Sequence, residues 1–204
     1  WCYMIWAPNY GDGYPYPDLQ YLAKPGTSEF KELDTNHDGV LTAADDCYKP
    51  YYPGDDYVDW VGLSAYHWGN TYPWEENEVP EPGKFADMVC GQYNGANGNA
   101  TTIPDFYGEY AVGHNKPMAI VETAAFYNTT RPNEATELAI KQTWWRQLFN
   151  DQTRSRFPKI MMVNWFEWRK HEETIGGDLI DWTLSYRPQI LQAFFADISA
   201  FNWI

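Results

Sequence analysis

The chain has 204 residues, with 14 basic and 28 acidic side chains and a formal charge of −14. This length suits one domain of ordinary size with a substantial core. The acidic excess argues against a nucleic-acid or anionic-membrane partner, because both carry negative charge. No stretch reaches the roughly 18 consecutive apolar residues of a membrane-spanning helix. Aromatic residues make up 18% of the chain, a content that excludes a disordered polypeptide.

Many of these aromatic residues stand in polar stretches rich in glycine and proline. The clearest cases are Tyr10, Tyr14, Tyr16, Tyr66, Trp68, Tyr72 and Trp74. Most aromatic side chains of a protein belong to its core, but flat rings beside Asp, Glu and Asn also suit a carbohydrate site. A pyranose stacks its apolar face on a ring, while its hydroxyls bond to short polar side chains.

The predicted elements alternate along the chain. Apolar runs predict four strands, at Cys2–Trp6, Val58–Ala65, Met118–Glu122 and Ile160–Trp165. Because the runs are unbroken, we expect parallel strands covered on both faces. Amphipathic stretches predict helices at Thr27–Leu33, Gly83–Val89, Pro104–Val112, Asn133–Phe149 (with Asn133 as N-cap) and Pro188–Ser199. The order is strand, loop and helix four times, which is an α/β pattern.

Each predicted strand ends in a polar or aromatic residue followed by a loop. Functional residues at the carboxyl ends of parallel strands are typical of a (β/α)8 TIM barrel, which usually needs eight strands and ~250 residues. We therefore expect residues 1–204 to be a single domain that forms the C-terminal half of such a barrel, with strands 5–8 and their helices. Since the first predicted strand begins at Cys2, we also expect further polypeptide upstream.

The strand that ends at Glu122 brings a carboxylate to the mouth of the predicted barrel. A glutamate at the end of an apolar strand is costly to bury unless its charge is used or paired. Two interpretations follow. Glu122 is either a glycosidase nucleophile, which must be an ionised carboxylate near an anomeric carbon, or a salt-bridged structural residue.

Four segments favour the first interpretation. Lys116–Ala124 resembles the "KPxxxxE" seventh strand of glycoside hydrolase family 26, and Tyr52–Tyr66 is similar to its sixth, "YPGDxYVDWVGxxxY". Ile5–Asn9 resembles the fifth strand and Val163–Phe166 the eighth. The similarity is strongest to secreted fungal members. It implies a retaining, endo-acting β-glycanase, most often a β-mannanase, that needs no cofactor for catalysis.

The resemblance also implies residue roles. Glu122 would be the nucleophile, and Tyr66 would hydrogen-bond it and keep its pKa low. Substrate would further contact Trp165, as a platform under the cleaved sugar, together with Asn9, Trp6, His67 and Trp68. For Trp6, Trp68 and Trp165, packing in the core is the alternative.

The mechanism also requires a second carboxyl about 5 Å from the first, as acid and base. In this family it ends the fourth strand, so we expect it upstream of residue 1. Glu167 fits a structural pairing with Arg169 or Lys170 better than this role.

A separate constellation predicts a calcium loop inserted at residues 34–45. Asp34, Asn36 and Asp38 stand at positions 1, 3 and 5 of an EF-hand-type loop, with Val40 supplying a backbone carbonyl at position 7 and Asp45 an acid at position 12. Gly39 occupies position 6, as this loop type requires. A structural Ca²⁺ is expected; the alternative is a turn in which Thr42 and Asp45 form a helix capping box.

Three cysteines and two sequons bear on the compartment. Asn99 and Asn128 stand in Asn-X-Thr sequons, which predict glycosylation in a secreted protein. A Cys47–Cys90 disulfide would survive outside the cell, whereas Cys2, in an apolar run, is expected to be a buried thiol. Together these features favour a secreted, extracellular glycoprotein.

The expected partners are a polysaccharide, mannan or another β-glycan, and the missing N-terminal half of the barrel. A β-1,3-glucan, mixed-linkage glucan or xylan stays open as the substrate. A second class of function also stays open: a carbohydrate-binding protein without turnover, which lacks the second carboxyl. Its two exposed sheet edges would still need a partner.

Overall fold

A computed structural model describes residues 2–11, 23–42, 44–71, 73–74, 76–93, 103–131 and 134–201. Strands β1 (Ile5–Trp6), β2 (Trp60–Ser64), β3 (Met118–Thr123) and β4 (Ile160–Trp165) form one sheet in that order. All three neighbouring pairs are parallel. The predicted parallel α/β arrangement is thus confirmed, whereas closure into a barrel stays a prediction.

The register of the sheet brings the carboxyl ends of the strands together. Trp6 pairs with Val61, Gly62 with Ala119, and Ser64 with Glu122. A Cβ atom at position 62 would lie only 2.7 Å from Val121 Cγ1. Glycine at this position therefore allows β2 to lie this close to the Val121 side chain of β3. Since the strands are parallel, Ser64 and Glu122 end at the same edge.

Five α-helices accompany the sheet in the described residues: α1 (Ser28–Leu33), α2 (Lys84–Val89), α3 (Glu137–Leu148), α4 (Asp151–Arg156) and α5 (Pro188–Ile198). The stretch predicted as a helix at Pro104–Val112 forms a π-helix, Tyr107–Gly113. Short 3-10 turns occur at Lys49–Tyr51 and Glu173–Ile175.

Several boundaries differ from the prediction, and two of the differences have a clear local cause. Helix α3 begins at Glu137 because the Thr136 side chain accepts a hydrogen bond from the Ala139 N–H and caps the helix; Asn133, the predicted N-cap, lies outside the described residues. Strand β1 is also shorter than predicted, because Met4 is 62% exposed and its N–H bonds to the Asp59 carboxylate instead of a strand.

The sequence patterns do not predict a β-hairpin that follows β4. Strands β5 (Arg169–Glu172) and β6 (Asp178–Asp181) pair antiparallel, with Glu172 opposite Asp178. Polar side chains dominate β5, so it lacks the apolar run that marks the strands of the parallel sheet. The hairpin stands directly beyond the carboxyl end of β4 and extends the wall of the site described below.

The core lies between the sheet and its helices. Val61, Leu63, Met118 and Ile120 are fully buried in the strands, and Trp144 of α3 is buried against them. The Trp144 indole N–H donates to Thr123 Oγ1 at 2.9 Å, which fixes α3 on the end of β3.

The two edge strands carry exposed apolar side chains. Tyr3 beside β1 is 71% exposed, and Met161 of β4 is 67% exposed. Within the described ranges, β1 pairs with β2 alone and β4 with β3 alone. The sheet is therefore open on both sides. In the part of the chain that is described, no helix is long and apolar enough to cross a membrane.

Candidate active site

The centre of the site is a contact between the ends of β2 and β3. Tyr66 Oη donates a hydrogen bond to Glu122 Oε2 at 2.8 Å. Burial, and secondly the neighbouring Glu122 carboxylate, raise the pKa of Tyr66, so its phenol stays a neutral donor. The Glu122 side chain itself is exposed. A carboxylate held by a neutral donor at an open surface has the geometry of a nucleophile awaiting substrate.

Glu122 lies in the wall of a cavity of about 540 Å³. The residues around this first cavity are Asn9, Tyr10, Ser64, Tyr66, Trp68, Met88, Glu122, Phe166, Lys170, Glu172 and Trp182. Four of the residues predicted from the sequence are thus brought together: Asn9, Tyr66, Trp68 and Glu122. Rings and acceptor groups around one cavity suit a sugar, which presents an apolar face and a rim of hydroxyls.

The hairpin contributes residues that the sequence does not reveal. Trp182 Nε1 donates to Glu172 Oε1 at 2.9 Å, and Lys170 Nζ lies 3.1 Å from the same oxygen. The Trp182 ring stands edge-on to Trp68 at 4.8 Å and to Tyr66 at 5.4 Å. Glu172 is therefore a second carboxylate of the first cavity, fixed in place by two donors.

Two predicted aromatic contacts are not made in the structure. Trp165 lines neither this cavity nor the neighbouring one; its indole N–H donates to the Trp182 carbonyl at 2.7 Å, and its ring packs between Trp145 and Phe194. Trp182 lines the first cavity in place of Trp165.

The Trp6 ring packs against other aromatic rings, 4.9 Å from Tyr110 and 5.0 Å from Tyr52. It lines neither cavity, so the packing alternative applies to Trp6.

His67, expected to touch substrate, has a completely buried side chain. Its Nε2 atom is 2.8 Å from the Glu78 carbonyl, and its ring lies 5.9 Å from that of Trp144. Strand alternation explains the error, because the ring of a residue beside Tyr66 points to the opposite face. His67 is therefore a buried packing residue behind Tyr66 and does not line the cavity.

The burial of His67 predicts acid sensitivity. Desolvation, with a smaller effect of the Lys84 ammonium, lowers its pKa from 6.5 to about 3. The unfolded chain takes up a proton near pH 6.5 and the folded chain does not. As the pH is lowered from 6.5 towards 3, the free energy of unfolding should therefore fall by up to about 1.4 kcal/mol per pH unit.

Urea unfolding at pH 4 to 7 measures this slope. His67→Gln should flatten it, whereas His171→Gln, at an exposed position, should leave it unchanged. Equal slopes for the wild type and His67→Gln would mean that His67 does not titrate as described.

Glu167 is structural, as expected, but its partners differ from those predicted. Its carboxylate accepts hydrogen bonds from Leu184 N at 2.7 Å and Ser185 Oγ at 2.6 Å. Arg169 pairs instead with Asp181, and Lys170 with Glu172. Glu167 thus holds the segment after β6 against the end of β4.

The acidic and amide side chains of the predicted calcium loop accept hydrogen bonds from the loop's own backbone N–H groups. Asp34 Oδ2 accepts from Gly39 N at 3.0 Å, Asn36 Oδ1 from Asp38 N at 2.9 Å, and Asp38 Oδ1 from Val40 N at 2.8 Å. Asp34 Oδ1 is buried and accepts no hydrogen bond from the described residues. One carboxylate oxygen is therefore available to a cation.

The carboxylate of Asp45, the expected ligand at position 12, is hydrogen-bonded to backbone amides. It is 1% exposed, and its oxygens accept from the N–H groups of Thr35 at 2.8 Å and Thr42 at 2.9 Å. Among the residues that the structure describes, no three His, Cys, Asp or Glu side chains converge as a metal site. The Thr42–Asp45 bond is one arm of a capping box, but no helix follows directly in the described residues.

The cysteines and the sequon at Asn128 do not support the expected disulfide and glycan. Cys2, Cys47 and Cys90 are all thiols, and Cys2 is exposed where a buried thiol is expected. Asn128 is completely buried, and its Nδ2 atom donates to Asp178 Oδ2 at 2.8 Å. The predicted disulfide is absent, and a glycan cannot be attached to Asn128 in this fold. Asn99 lies outside the described residues, as do Tyr14, Tyr16 and Tyr72.

Comparison with known proteins finds similarities of low sequence identity. No protein-family model matches the chain. Endoglucanase H of Acetivibrio thermocellus is 26% identical over 153 residues, which are 75% of this chain and 13% of that protein. The solved structure of GH26C from Muricauda sp. MAR_2010_75 aligns with a TM-score of 0.40 and 14% identity, over 96% of this chain and 35% of that chain. The chain thus spans a minor part of the length of each.

Proposed function

We propose that the chain carries the nucleophile of a retaining glycoside hydrolase that cleaves β-glycans internally. The observation that supports this most strongly is the 2.8 Å hydrogen bond from Tyr66 to Glu122 at the wall of an aromatic cavity. Glu122 attacks the anomeric carbon, and the leaving oxygen takes a proton from a second carboxyl. Water then releases the sugar from Glu122, with the second carboxyl acting as base.

The second carboxyl is the open component of this proposal. Glu172 shares the cavity with Glu122, but it accepts bonds from Trp182 and Lys170, whereas a general acid must donate a proton to the substrate. We therefore assign Glu172 to holding the substrate. The acid/base is proposed to come from a strand upstream of these 204 residues, as the resemblance to family 26 implies.

The open sheet edges fit the same proposal. Strands that pair with β1 and β4 would cover Tyr3 and Met161 and close a barrel. The intact mass of the natural protein under denaturing, reducing conditions tests this. A mass well above 23.7 kDa, or a second fragment, supports a complete barrel; a single species of 23.7 kDa contradicts it.

The proposed substrate is β-1,4-mannan, on the basis of the strand motifs at residues 52–66 and 116–124. A β-glucan is the alternative, because the relative from Acetivibrio thermocellus is named an endoglucanase. An extracellular site of action follows from a polymeric substrate and is proposed with it. Incubation of the full-length protein with mannan, mixed-linkage β-glucan and xylan, with NMR of the first-formed anomer, distinguishes these substrates and tests retention.

Carbohydrate binding without turnover is the second candidate function. It is favoured by one observation: within the described residues, Glu172 is the only other carboxylate of the first cavity, and it is occupied by two donors. If the full-length protein binds these polysaccharides but releases no reducing ends from any of them, this second function replaces hydrolysis.

We also propose that the loop at residues 34–45 binds Ca²⁺ and stabilises the fold. The buried, unbonded Oδ1 of Asp34 supports this, and the amide contacts of Asp45 oppose it. At saturating Ca²⁺ we expect a melting temperature about 5 °C higher than in excess chelator, by mass action. Scanning calorimetry measures the shift.

The calcium effect should disappear in Asp34→Asn and persist in Asp56→Asn, which removes an exposed carboxylate outside the loop. If the melting temperature of the wild type does not respond to Ca²⁺ or chelator, the loop is a self-contained turn and the proposal is wrong.

A further inference from the structure

A second cavity, of about 260 Å³, adjoins the first and differs from it in chemistry. The first cavity has carboxylate, amide and hydroxyl groups beside its rings, whereas the second is formed mainly by rings. We propose that the second cavity binds an aromatic acyl group, carried as an ester on the polysaccharide whose sugar occupies the first cavity. The inference rests on the proposed function, because the polysaccharide is the source of the ester.

The lining of the second cavity favours an aromatic group over a bare sugar. Apart from Gly69, Lys84 and Thr174, its lining residues are apolar or aromatic, namely Tyr10, Tyr66, Trp68, Trp74, Met88 and Tyr93. A pyranose carries several hydroxyls, and each hydroxyl that is buried without a partner costs free energy. The volume is just below the range of about 300–1,000 Å³ that holds drug-sized ligands. It therefore suits one aromatic ring with a short polar arm.

Lys84 supplies a hydrogen-bond donor for that arm. Its side chain is 3% exposed, and its Nζ donates to the Gly69 carbonyl at 2.5 Å and lies 3.1 Å from Glu81 Oε2. A lysine has three N–H donors, and within the described part of the chain these are its two oxygen partners, so one donor is available to a ligand. Because the Glu81 carboxylate already balances the ammonium charge, a neutral ester carbonyl fits better than a second carboxylate, which Glu81 would repel.

The loop after β2 holds the Trp74 ring beside this donor. Trp74 has a φ of +66°, which is rare for a bulky residue, and its N–H donates to the Thr71 carbonyl at 3.0 Å. The Thr71 N–H in turn donates to Glu78 Oε2 at 2.9 Å. A Cβ atom at position 69 would lie 3.6 Å from Trp74 Cε3, so the indole ring lies next to Gly69, whose carbonyl binds Lys84. A flat wall and a donor are therefore fixed side by side, as a planar aromatic ester requires.

The position of the second cavity favours a group attached to the substrate. The two cavities share Tyr66 and Trp68, whereas Glu122 lines only the first and Trp74 only the second. An acyl group beside Trp74 can therefore be carried on a sugar that lies in or next to the first cavity.

The test separates the acyl group from the sugar. The probes are methyl 4-hydroxycinnamate, its free acid, a β-1,4-mannooligosaccharide or β-1,4-xylooligosaccharide esterified with the same acyl group, and the saponified form of that oligosaccharide. Each is titrated by calorimetry into the full-length protein in a Glu122→Gln background, which prevents turnover. Trp74→Ala removes the ring, Trp74→Phe retains an aromatic face, and Lys84→Met removes the donor. Tyr57→Ala is the control, because Tyr57 is 72% exposed and lines neither cavity.

We expect the methyl ester to bind, with a dissociation constant about tenfold higher in Trp74→Ala and in Lys84→Met. Trp74→Phe should recover most of the affinity, and Tyr57→Ala should not change it. The esterified oligosaccharide should bind about tenfold more tightly than its saponified form, and Trp74→Ala should remove that difference.

Three outcomes would contradict the inference. If esterification adds no affinity, or adds as much in Trp74→Ala as in its parent, while the saponified oligosaccharide still binds, the acyl site is wrong and the proposed function stands. If the free acid binds more tightly than the methyl ester, the ligand is a small carboxylate and not an ester on a polysaccharide. If the methyl ester binds but no oligosaccharide does, the polysaccharide is wrong as its carrier, and the proposed function fails with it.

Discussion

Replacing Glu122 by glutamine in the full-length protein is expected to abolish glycan hydrolysis while sugar binding is retained. The amide has the size of the carboxylate and keeps an oxygen that can accept the Tyr66 hydrogen bond, 2.8 Å long in the structure. It cannot form the covalent bond to the anomeric carbon. Loss of a nucleophile typically lowers kcat by a factor on the order of 10⁴ or more.

Initial rates on the preferred polysaccharide, with affinity measured in parallel, test this expectation. Glu173→Gln is a matched control, because it removes an exposed carboxylate of the hairpin that lines neither cavity. Its rate should equal that of the wild type. Undiminished hydrolysis by Glu122→Gln would exclude Glu122 as nucleophile and return it to the structural alternative.

The second large effect is expected in the buried ion network that anchors the hairpin. Asp181 and Lys141 are completely buried. Asp181 Oδ1 lies 3.2 Å from Lys141 Nζ, and Asp181 Oδ2 lies 3.0 Å from Arg169 Nε. Glu137 Oε1 lies 2.6 Å from the same ammonium. Asp181→Ala removes one of two anions facing buried or half-buried cations, so it should lower the free energy of unfolding by about 3–5 kcal/mol.

Urea unfolding of Asp181→Ala measures this loss. Arg146→Ala is the comparison, because it removes the Arg146–Asp197 pair, in which the Arg146 side chain is 56% exposed. An exposed pair contributes at most about 1 kcal/mol. Equal losses in the two variants would show that burial of the Asp181 network adds nothing. Because Trp182 follows Asp181 directly, weaker glycan binding by Asp181→Ala is also expected.

The sheet can be predicted because hydrophobicity alone determines it. Val61, Leu63, Met118 and Ile120 are fully buried, and their strands form unbroken apolar runs in the sequence. Parallel strands bring their carboxyl ends to one edge, and this rule alone predicts that Asn9, Tyr66 and Glu122 lie together. The limits differ in detail: β1 begins later than predicted because the Asp59 carboxylate takes the Met4 N–H, and β2 is shorter than predicted at both ends.

The hairpin and its residues cannot be predicted in this way. Strand β5 has the sequence Arg-Lys-His-Glu, and its pairing depends on contacts with distant residues, such as that of Arg169 with Asp181. Trp182 and Glu172 therefore reach the first cavity through tertiary structure that no local pattern reports. Trp165 is a sound candidate by its position at the end of β4, but the Trp182 carbonyl takes its indole N–H.

Burial is the other property that local sequence does not report. The sequon at Asn128 and the histidine at position 67 have the right residue types, yet both side chains are completely buried. Asn128 N–H and Oδ1 are used within the fold: its N–H donates to Asn77 Oδ1 at 2.7 Å, and its Oδ1 accepts from Thr130 N at 2.9 Å. A motif predicts chemistry only where its reactive atom reaches solvent or a cavity.

Covalent trapping tests the role of Glu122 most directly. A 2-fluoro glycoside with a good leaving group slows release of the sugar from the nucleophile of a retaining enzyme. After incubation of the full-length protein with the mannose or glucose form of this reagent, peptide mass spectrometry should find the fluorosugar on Glu122 and on no other residue. An adduct on a different carboxylate, or none in a protein that hydrolyses glycans, would contradict Glu122 as the nucleophile.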